Sequence, residues 1–178
     1  ILKKSMKSIQ LILNEFTSIF DLETVSNSAF TQARANLNYT AFIELNEKAV
    51  VDVMYSDDNI KLYKGMRVMG IDGSKILLPD TTDITNEFGQ ISYSNDHPEV
   101  KGSHTYAMAS VMYDVLNHIA VDSILSKARA YEVDLAIKHL EHSIDNDLLL
   151  YDRNYLSYFH LATLFNFNIC NTLFCRIF

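Results

Sequence analysis

Two aspartates, Asp72 and Asp152, each follow a short apolar run directly. The run before Asp72 is RVMGI at 67–71, and the run before Asp152 is LLLY at 148–151. Side chains alternate between the two faces of a strand, so a carboxylate at a strand end can leave the core and face a cleft. Active sites of open α/β sheets gather at such strand ends. The pattern therefore predicts that neighbouring strands bring these two carboxylates together.

Two converging carboxylates repel each other unless a cation lies between them. Mg²⁺ prefers hard oxygen ligands and is typically held by one or two carboxylates plus substrate phosphates. We therefore expect Asp72 and Asp152 to bind Mg²⁺, with Mn²⁺ as a possible substitute. Each residue also has a purely structural alternative. Asp72 precedes Gly73 and could accept backbone hydrogen bonds in a turn, and Asp152 could cap the helix that follows it.

The first 60 residues are predicted to form an N-terminal helical segment. Apolar residues recur at three- and four-residue spacing in 3–20 and again in 39–55, as on one face of a helix. Between these stretches, Ser28 is the expected N-cap of a further helix. The polar run SDDN at 56–59 ends the segment.

From residue 61 onward the pattern changes to that of strands. We expect strands at 67–71 and 75–79 around a turn at Gly73-Ser74, strands at 105–115 and 118–125, a helix at 131–144, a strand at 148–151, a helix at 155–165, and a further strand starting after 165. The polar stretch 79–102 is interpreted as a loop. This order implies an α/β (α+β mixed) fold, a mixed sheet flanked by helices. The continuous apolar run LLLY is typical of a central strand covered on both faces.

Composition limits the possible classes of protein. The chain has 178 residues and a formal net charge of −7, all of which falls after residue 70. An acidic chain is a poor candidate for nucleic-acid binding, because Lys and Arg make the phosphate contacts. No run approaches the ~18 apolar residues of a membrane span. With no secretory signal recognised, Cys170 and Cys175 are interpreted as reduced thiols of a cytoplasmic protein. The chain begins with Ile, and we expect a fragment.

The segment GIDGSKILLPDT at 70–81, followed much later by LLLYDRNY at 148–155, resembles the insertion-sequence transposases of the DDE class. In that family a strand ends in Asp-Gly-Thr or Asp-Gly-Ser, a Leu-Pro-Asp-Thr-like segment follows closely, and a later strand ends in Asp-Arg-Gly-Tyr. The upstream stretch AFTQARANLNYTAF at 29–42 is also similar to the N-terminal region of the family. The resemblance covers roughly residues 25–170.

The resemblance implies a role for several residues. Asp72 matches the first metal-binding catalytic aspartate and Asp152 the second, and Arg153 and Tyr155 match the residues that accompany the second. Asn154 stands where the family has Gly. The third acid of the family is a glutamate in a Tyr-x-x-Arg-x-x-x-Glu setting, and no Glu follows Asp152 in this chain. The resemblance thus implies that 61–178 is a partial ribonuclease-H-like catalytic domain, truncated at its C-terminus.

The implied function is metal-dependent DNA strand cleavage and strand transfer at transposon ends. Such chemistry uses two metal ions about 3.5–4 Å apart, and the full-length enzyme would be a homo-oligomer bound to transposon-end and target DNA, not to a membrane. With two of three acids, this chain is expected to be inactive alone. One alternative is a non-catalytic interaction protein, a truncated transposase that partners or inhibits full-length copies. Another is a metal-dependent phosphohydrolase that acts on small phosphate esters.

For two further sets of side chains, the sequence favours a structural role over a functional one. His139 and His142, three residues apart on a predicted helix, are expected at the surface or at the edge of the core rather than on a metal. Lys75 is interpreted as a solvated lysine of the predicted turn, although it could approach a phosphate near the site.

Overall fold

The computed structural model describes residues 8–57, 59–94, 101–166 and 172–175. The chain divides into two compact units, one up to Leu45 and the other from Asn46 onward. We expected the boundary after residue 60, but the end of the helical segment belongs to the unit that contains the sheet. The Asn46 side chain donates a hydrogen bond to the Ala120 carbonyl oxygen at 3.0 Å, and the Tyr55 hydroxyl donates one to Asp114 at 3.0 Å.

The first unit is helical, as predicted. Its helices are α1 (Ile9–Ile19), α2 (Asn27–Ala35) and the beginning of α3 (Thr40–Asn46). The cap of α2 is Ser26, not Ser28. Ser26 has extended backbone angles and accepts a hydrogen bond from the Ala29 amide, as an N-cap does, whereas Ser28 already lies inside the helix. Beyond α3 the helix continues as a π-helical turn (Glu47–Val51) and α4 (Asp52–Tyr55).

Six strands form the sheet of the second unit within the described residues. They are β1 (Arg67–Leu77), β2 (Gln90–Ser94), β3 (Lys101–Asp114), β4 (Ile119–Lys127), β5 (Asp147–Asp152) and β6 (Thr172–Cys175). Their order is β4-β3-β1-β5-β6, and β2 pairs with the first part of β3. The β4-β3-β1 part is antiparallel, and the β1-β5-β6 part is parallel. The predicted mixed sheet with helices is confirmed, and β6 supplies the further strand. Cys170 lies outside the described residues.

The predicted turn at Gly73-Ser74 is wrong, because β1 runs through it without interruption. Gly73 pairs with Ser110 and Ser74 pairs with Ala109, so β3 accompanies β1 along its whole second half. The long partner strand decides the conformation: β3 continues past the Asp-Gly-Ser sequence and keeps its neighbour extended. Asp72 therefore lies inside a strand rather than at the end of one.

The prediction of a loop over 79–102 is also wrong for most of its length. It contains helix α5 (Thr82–Phe88) and strand β2, and residues 95–100 lie outside the described part of the chain. The Thr81 hydroxyl caps α5 by accepting a hydrogen bond from the Ile84 amide, and Gly89 ends it with φ +88°. A seven-residue polar helix has too few apolar positions to give a periodic pattern.

Two helices cover one face of the sheet. They are α6 (Glu132–Lys138), which continues as a 3₁₀-helical turn (His139–His142), and α7 (Tyr158–Asn166), which follows a 3₁₀ turn (Arg153–Tyr155). The main cluster of core residues is Met69, Ile71, Met112, Val133, Ala136, Leu140, Leu149, Tyr151, Tyr155 and Leu164. In β5, Leu149 and Tyr151 are fully buried, whereas Leu148 and Leu150 are half-buried. The strand is central, as predicted, but the described helices of this unit bury only one of its faces.

Candidate active site

Asp72 and Asp152 occupy matching positions on adjacent parallel strands. The last parallel pair of β1 and β5 is Ile71 with Tyr151, and the two aspartates are the next residue of each strand. Neighbouring strands lie about 4.8 Å apart. Since Ile71 and Tyr151 face the core, alternation directs both carboxylates to the opposite face. The structure thus brings the two predicted residues together, on the face of the sheet away from α6 and α7.

The surroundings of Asp72 form an open groove on this face. Asp72 is exposed, and the groove has a volume of about 570 Å³. Residues on β1, β3 and β5 line it, among them Ser74, Ile76, Tyr113 and Leu150. A carboxylate in this position remains in contact with solvent and can meet a ligand that approaches the sheet.

Asp152 has the capping role that the sequence left open. One of its carboxylate oxygens, Oδ1, accepts a hydrogen bond from the Asn154 amide at 2.8 Å and so begins the 3₁₀ turn after β5. This bond fixes the orientation of the carboxylate. Because an ionised carboxylate has two oxygens and about four lone-pair sites, capping and metal binding are compatible.

Arg153 and Tyr155 have different environments on this turn. Arg153 is exposed, whereas Tyr155 is buried and its ring lies 5.7 Å from that of Tyr151. Burial raises the pKa of the Tyr155 hydroxyl, and the negative charges of Glu132 and Asp72 raise it further. Tyr155 therefore stays neutral and belongs to the core, but its hydroxyl is close enough to Asp72 to sense that charge.

Glu132, in the first turn of α6, lies close to this site although no motif in the sequence indicates it. A Cβ atom added to Gly73 would lie 3.2 Å from Glu132 Cγ and 3.4 Å from the Tyr155 hydroxyl oxygen. Glu132 is thus packed against the residue that follows Asp72. An acidic residue in the first turn of a helix is common, so the sequence carried no signal that distinguished it.

The described residues offer two carboxylates for a metal, not three. They contain no group of three or more His, Cys, Asp or Glu side chains arranged to hold a metal ion. Asp72 and Asp152 fit the simpler Mg²⁺ pattern, in which one or two carboxylates bind and water or substrate oxygens complete the octahedron. The donor set is all oxygen, as a hard cation requires.

A second group of side chains, Ser110, His139 and Asp122, is arranged like a nucleophile, a general base and an acid that orients the base. His139 Nε2 lies 3.0 Å from Ser110 Oγ, and His139 Nδ1 lies 2.6 Å from Asp122 Oδ2. The hydrogen bond from His139 lowers the pKa of Asp122. However, Ser110 and His139 are completely buried, so no substrate can reach the hydroxyl. The three residues connect β3, β4 and the end of α6. The predicted surface or core-edge position is correct for His142, which is half-exposed, but not for His139.

Comparison of the chain with known protein families, with curated proteins and with solved structures found no match. Within the described ranges, no helix combines the length and the apolar character needed to cross a membrane.

Proposed function

We propose that this chain is part of a DDE-type transposase and contributes Asp72 and Asp152 to its metal-dependent active site. The observation that carries the proposal is the register of β1 and β5, which makes the two aspartates neighbours. The sheet supports the finer expectation of a ribonuclease-H-like domain. Its three antiparallel strands β1, β3 and β4 precede the parallel strands β5 and β6, and helices connect the later strands.

Each residue would have a distinct task in this site. Asp72 and Asp152 would hold Mg²⁺, which supplies positive charge that polarises a phosphodiester and activates the attacking hydroxyl. Asp72 is held in place because it pairs with Val111 of β3, and the residues before it pair with both β3 and β5. The Asn154 amide fixes Asp152. Carboxylates held in this way would already be positioned when a metal or DNA arrives, which would favour catalysis by electrostatic preorganisation.

The reaction needs more than these two residues supply. A two-metal centre stabilises both the attacking and the leaving oxygen, and the family uses a third acid for which no counterpart follows Asp152. We therefore expect weak metal binding and no strand transfer by this chain alone. Magnesium-dependent joining of transposon-end DNA by the purified chain would contradict this expectation.

The metal site is tested by Mn²⁺ titration followed by electron paramagnetic resonance. Outer-shell changes alone cost about 10–100-fold in metal affinity, so Asp72→Asn and Asp152→Asn should each weaken binding at least about tenfold. Asp145→Asn, which removes an exposed carboxylate from a turn before β5, should leave it unchanged. Equal Mn²⁺ affinity in all four proteins would overturn the proposed site. Hydrolysis of a chromogenic phosphate ester, lost in Asp72→Asn, would instead favour the small-molecule phosphohydrolase.

One observation favours the non-catalytic interaction protein as a second candidate. Helix α7 exposes large apolar side chains: Tyr158 is 90% exposed, Phe159 64% and Phe165 82%. Aromatic side chains are enriched at association surfaces. If this chain partners full-length copies, adding it to an active transposase of the same element should lower strand transfer, and the Phe165→Ser variant should inhibit less. If the unaltered chain does not lower strand transfer, this role is excluded.

A further inference from the structure

A second cleft lies beyond the C-terminal end of β5, on the face of the sheet that carries α6. Its volume is about 510 Å³, and Lys75, Arg129, Glu132 and Asn154 contribute to its walls. Two of these residues lie a short distance after the aspartates in the chain. Lys75 is three residues after Asp72 on β1, and Asn154 is two residues after Asp152. We call this cavity the Lys75–Arg129 cleft.

The position of Lys75 differs from its interpretation as a turn lysine. Because β1 is continuous, Lys75 lies within the strand and pairs with Met108 of β3. Its side chain lines the cleft and is exposed to solvent, as is that of Arg129. A lysine fixed on a rigid strand loses less conformational freedom on binding than one on a mobile turn.

The charge of the cleft is opposite to that of the unit around it. Among the described residues that line the cleft, Lys75 and Arg129 face one acidic side chain, that of Glu132, although residues 71–178 together carry the entire net charge of −7. Neither cation forms an ion pair among the residues that the structure describes. Two cations without a carboxylate partner, at the wall of a cavity, are suited to an anionic ligand.

The distance from the aspartate pair indicates the kind of anion. Three residues along a strand span about 10 Å, and Asp72 and Lys75 point to opposite faces. A ligand with one phosphate cannot occupy both places. A DNA strand carries one charge per about 3.4 Å of helix axis, so a few nucleotides cover this distance and can pass around the end of β5.

We propose that Lys75 and Arg129 bind the phosphodiester backbone of the DNA strand that Asp72 and Asp152 act on. The inference rests on the proposed function and deepens it by assigning two residues to substrate binding. An acidic chain can bind DNA in this way, because it needs only a local basic cleft beside the site. Acidic surfaces elsewhere would repel DNA and restrict it to this path.

Fluorescence anisotropy with a labelled single-stranded oligonucleotide tests the inference. The titrations are made in EDTA, so that neither metal binding nor cleavage contributes, and at several salt concentrations. The variants are Lys75→Gln, Arg129→Gln and the double variant. The control is Lys138→Gln, which removes an exposed lysine of α6 that does not line the cleft. Thermal unfolding of each variant verifies that the fold is retained.

We expect each single variant to bind several-fold more weakly than the unaltered chain and the double variant more weakly still. Each lost phosphate contact should lower the slope of log K against log salt by about 0.7. Lys138→Gln should keep the original slope. The inference is overturned if the double variant binds like Lys138→Gln, or if the unaltered chain binds no DNA at low salt.

The two proposals can fail separately. If Mn²⁺ binding does not depend on Asp72 and Asp152, but the double variant loses DNA binding, the cleft binds DNA and the metal site is wrong. If Mn²⁺ binding depends on both aspartates, but the double variant keeps its DNA affinity, the metal site holds and the cleft is not the DNA path.

Discussion

Asp72 and Asp152 lie side by side on neighbouring parallel strands, each one residue beyond the last paired positions of β1 and β5. Like charges directly opposite each other across two strands destabilise a sheet. The arrangement therefore costs stability in the absence of a cation, and a divalent ion that binds between the carboxylates would remove this cost. Removing one of the two carboxylates should therefore have opposite effects on the stability of the metal-free and the metal-bound protein.

Neutralising one carboxylate should stabilise the metal-free protein. We expect Asp72→Asn to raise the free energy of unfolding in EDTA by about 0.2–1 kcal/mol, since it removes the repulsion across the strands. The same variant should lose the rise in Tm that Mg²⁺ produces in the unaltered chain, because a ligand stabilises only the state that binds it. Thermal unfolding with and without Mg²⁺ measures both effects.

Asp145→Asn is the control for general charge reduction, because it also lowers the net negative charge by one. If Asp145→Asn stabilised the metal-free chain as much as Asp72→Asn, the effect would arise from total charge and not from the neighbouring aspartates. An equal response of Asp72→Asn and the unaltered chain to Mg²⁺ would place the metal elsewhere.

The sequence predicted this pairing because local signals were strong at both strands. In LLLYD, consecutive apolar residues precede a carboxylate, and these residues form strand β5 with the aspartate at its end. The Asp-Gly-Ser sequence, in contrast, has the composition of a turn, yet it is extended because β3 hydrogen-bonds alongside it. The pairing with β3, which is distant in the sequence, therefore outweighs the local turn propensity. A prediction from neighbouring residues alone cannot include such a partner.

The remaining parts of the site arise from contacts between distant segments. Glu132 meets Gly73 only because α6 begins above β1. Lys75 and Arg129 share a cleft only because β3 and β4 return the chain to the same end of the sheet. Glu, Lys and Arg are common on protein surfaces, so the residues next to them in the sequence do not mark these three as part of a site.

The buried pair of Arg67 and Asp147 should be the most sensitive ionic contact in the described part of the chain. Arg67 Nε and Nη2 each donate to one oxygen of Asp147 at 2.7 Å, and both residues are buried. The Tyr55 ring lies 4.6 Å from the guanidinium carbon. Removing one partner leaves a buried charge unpaired, so Arg67→Met should lower the free energy of unfolding by about 3–5 kcal/mol. Urea unfolding measures the change.

Replacing both partners should cost much less than replacing one. The double variant Arg67→Met/Asp147→Leu leaves no unpaired charge, and buried ion pairs are often replaceable by apolar residues at little cost. Arg67→Lys should remain destabilising, because an ammonium group cannot reproduce the two parallel bonds. Additive single and double effects would show that the two side chains act independently.

Ser110 should not react as a nucleophile despite its position beside His139 and Asp122. The hydroxyl is completely buried, so a serine-directed fluorophosphonate cannot reach it. We expect no labelling of the folded chain by mass spectrometry. His139→Ala should lower the free energy of unfolding by about 1–3 kcal/mol, since it removes a hydrogen-bond partner of the buried Ser110 hydroxyl and the bond to Asp122. Stoichiometric labelling of Ser110 would instead reveal an access route and a hydrolytic site.

Stability should fall below neutral pH because of His160, which packs edge-on against Tyr151 with the ring centroids 4.6 Å apart. Its Nδ1–H donates to the Tyr155 carbonyl oxygen at 2.9 Å, and burial lowers its pKa below 6.5. The unfolded chain takes up a proton at the ordinary value while the folded chain resists it. The free energy of unfolding is therefore greatest above pH 6.5 and decreases as the pH falls toward the folded pKa. Urea unfolding at about pH 7.5 and about pH 5.5 measures this decrease, and His160→Asn should make it smaller. An identical decrease in the variant would mean that other groups, and not the buried imidazole, set the pH dependence.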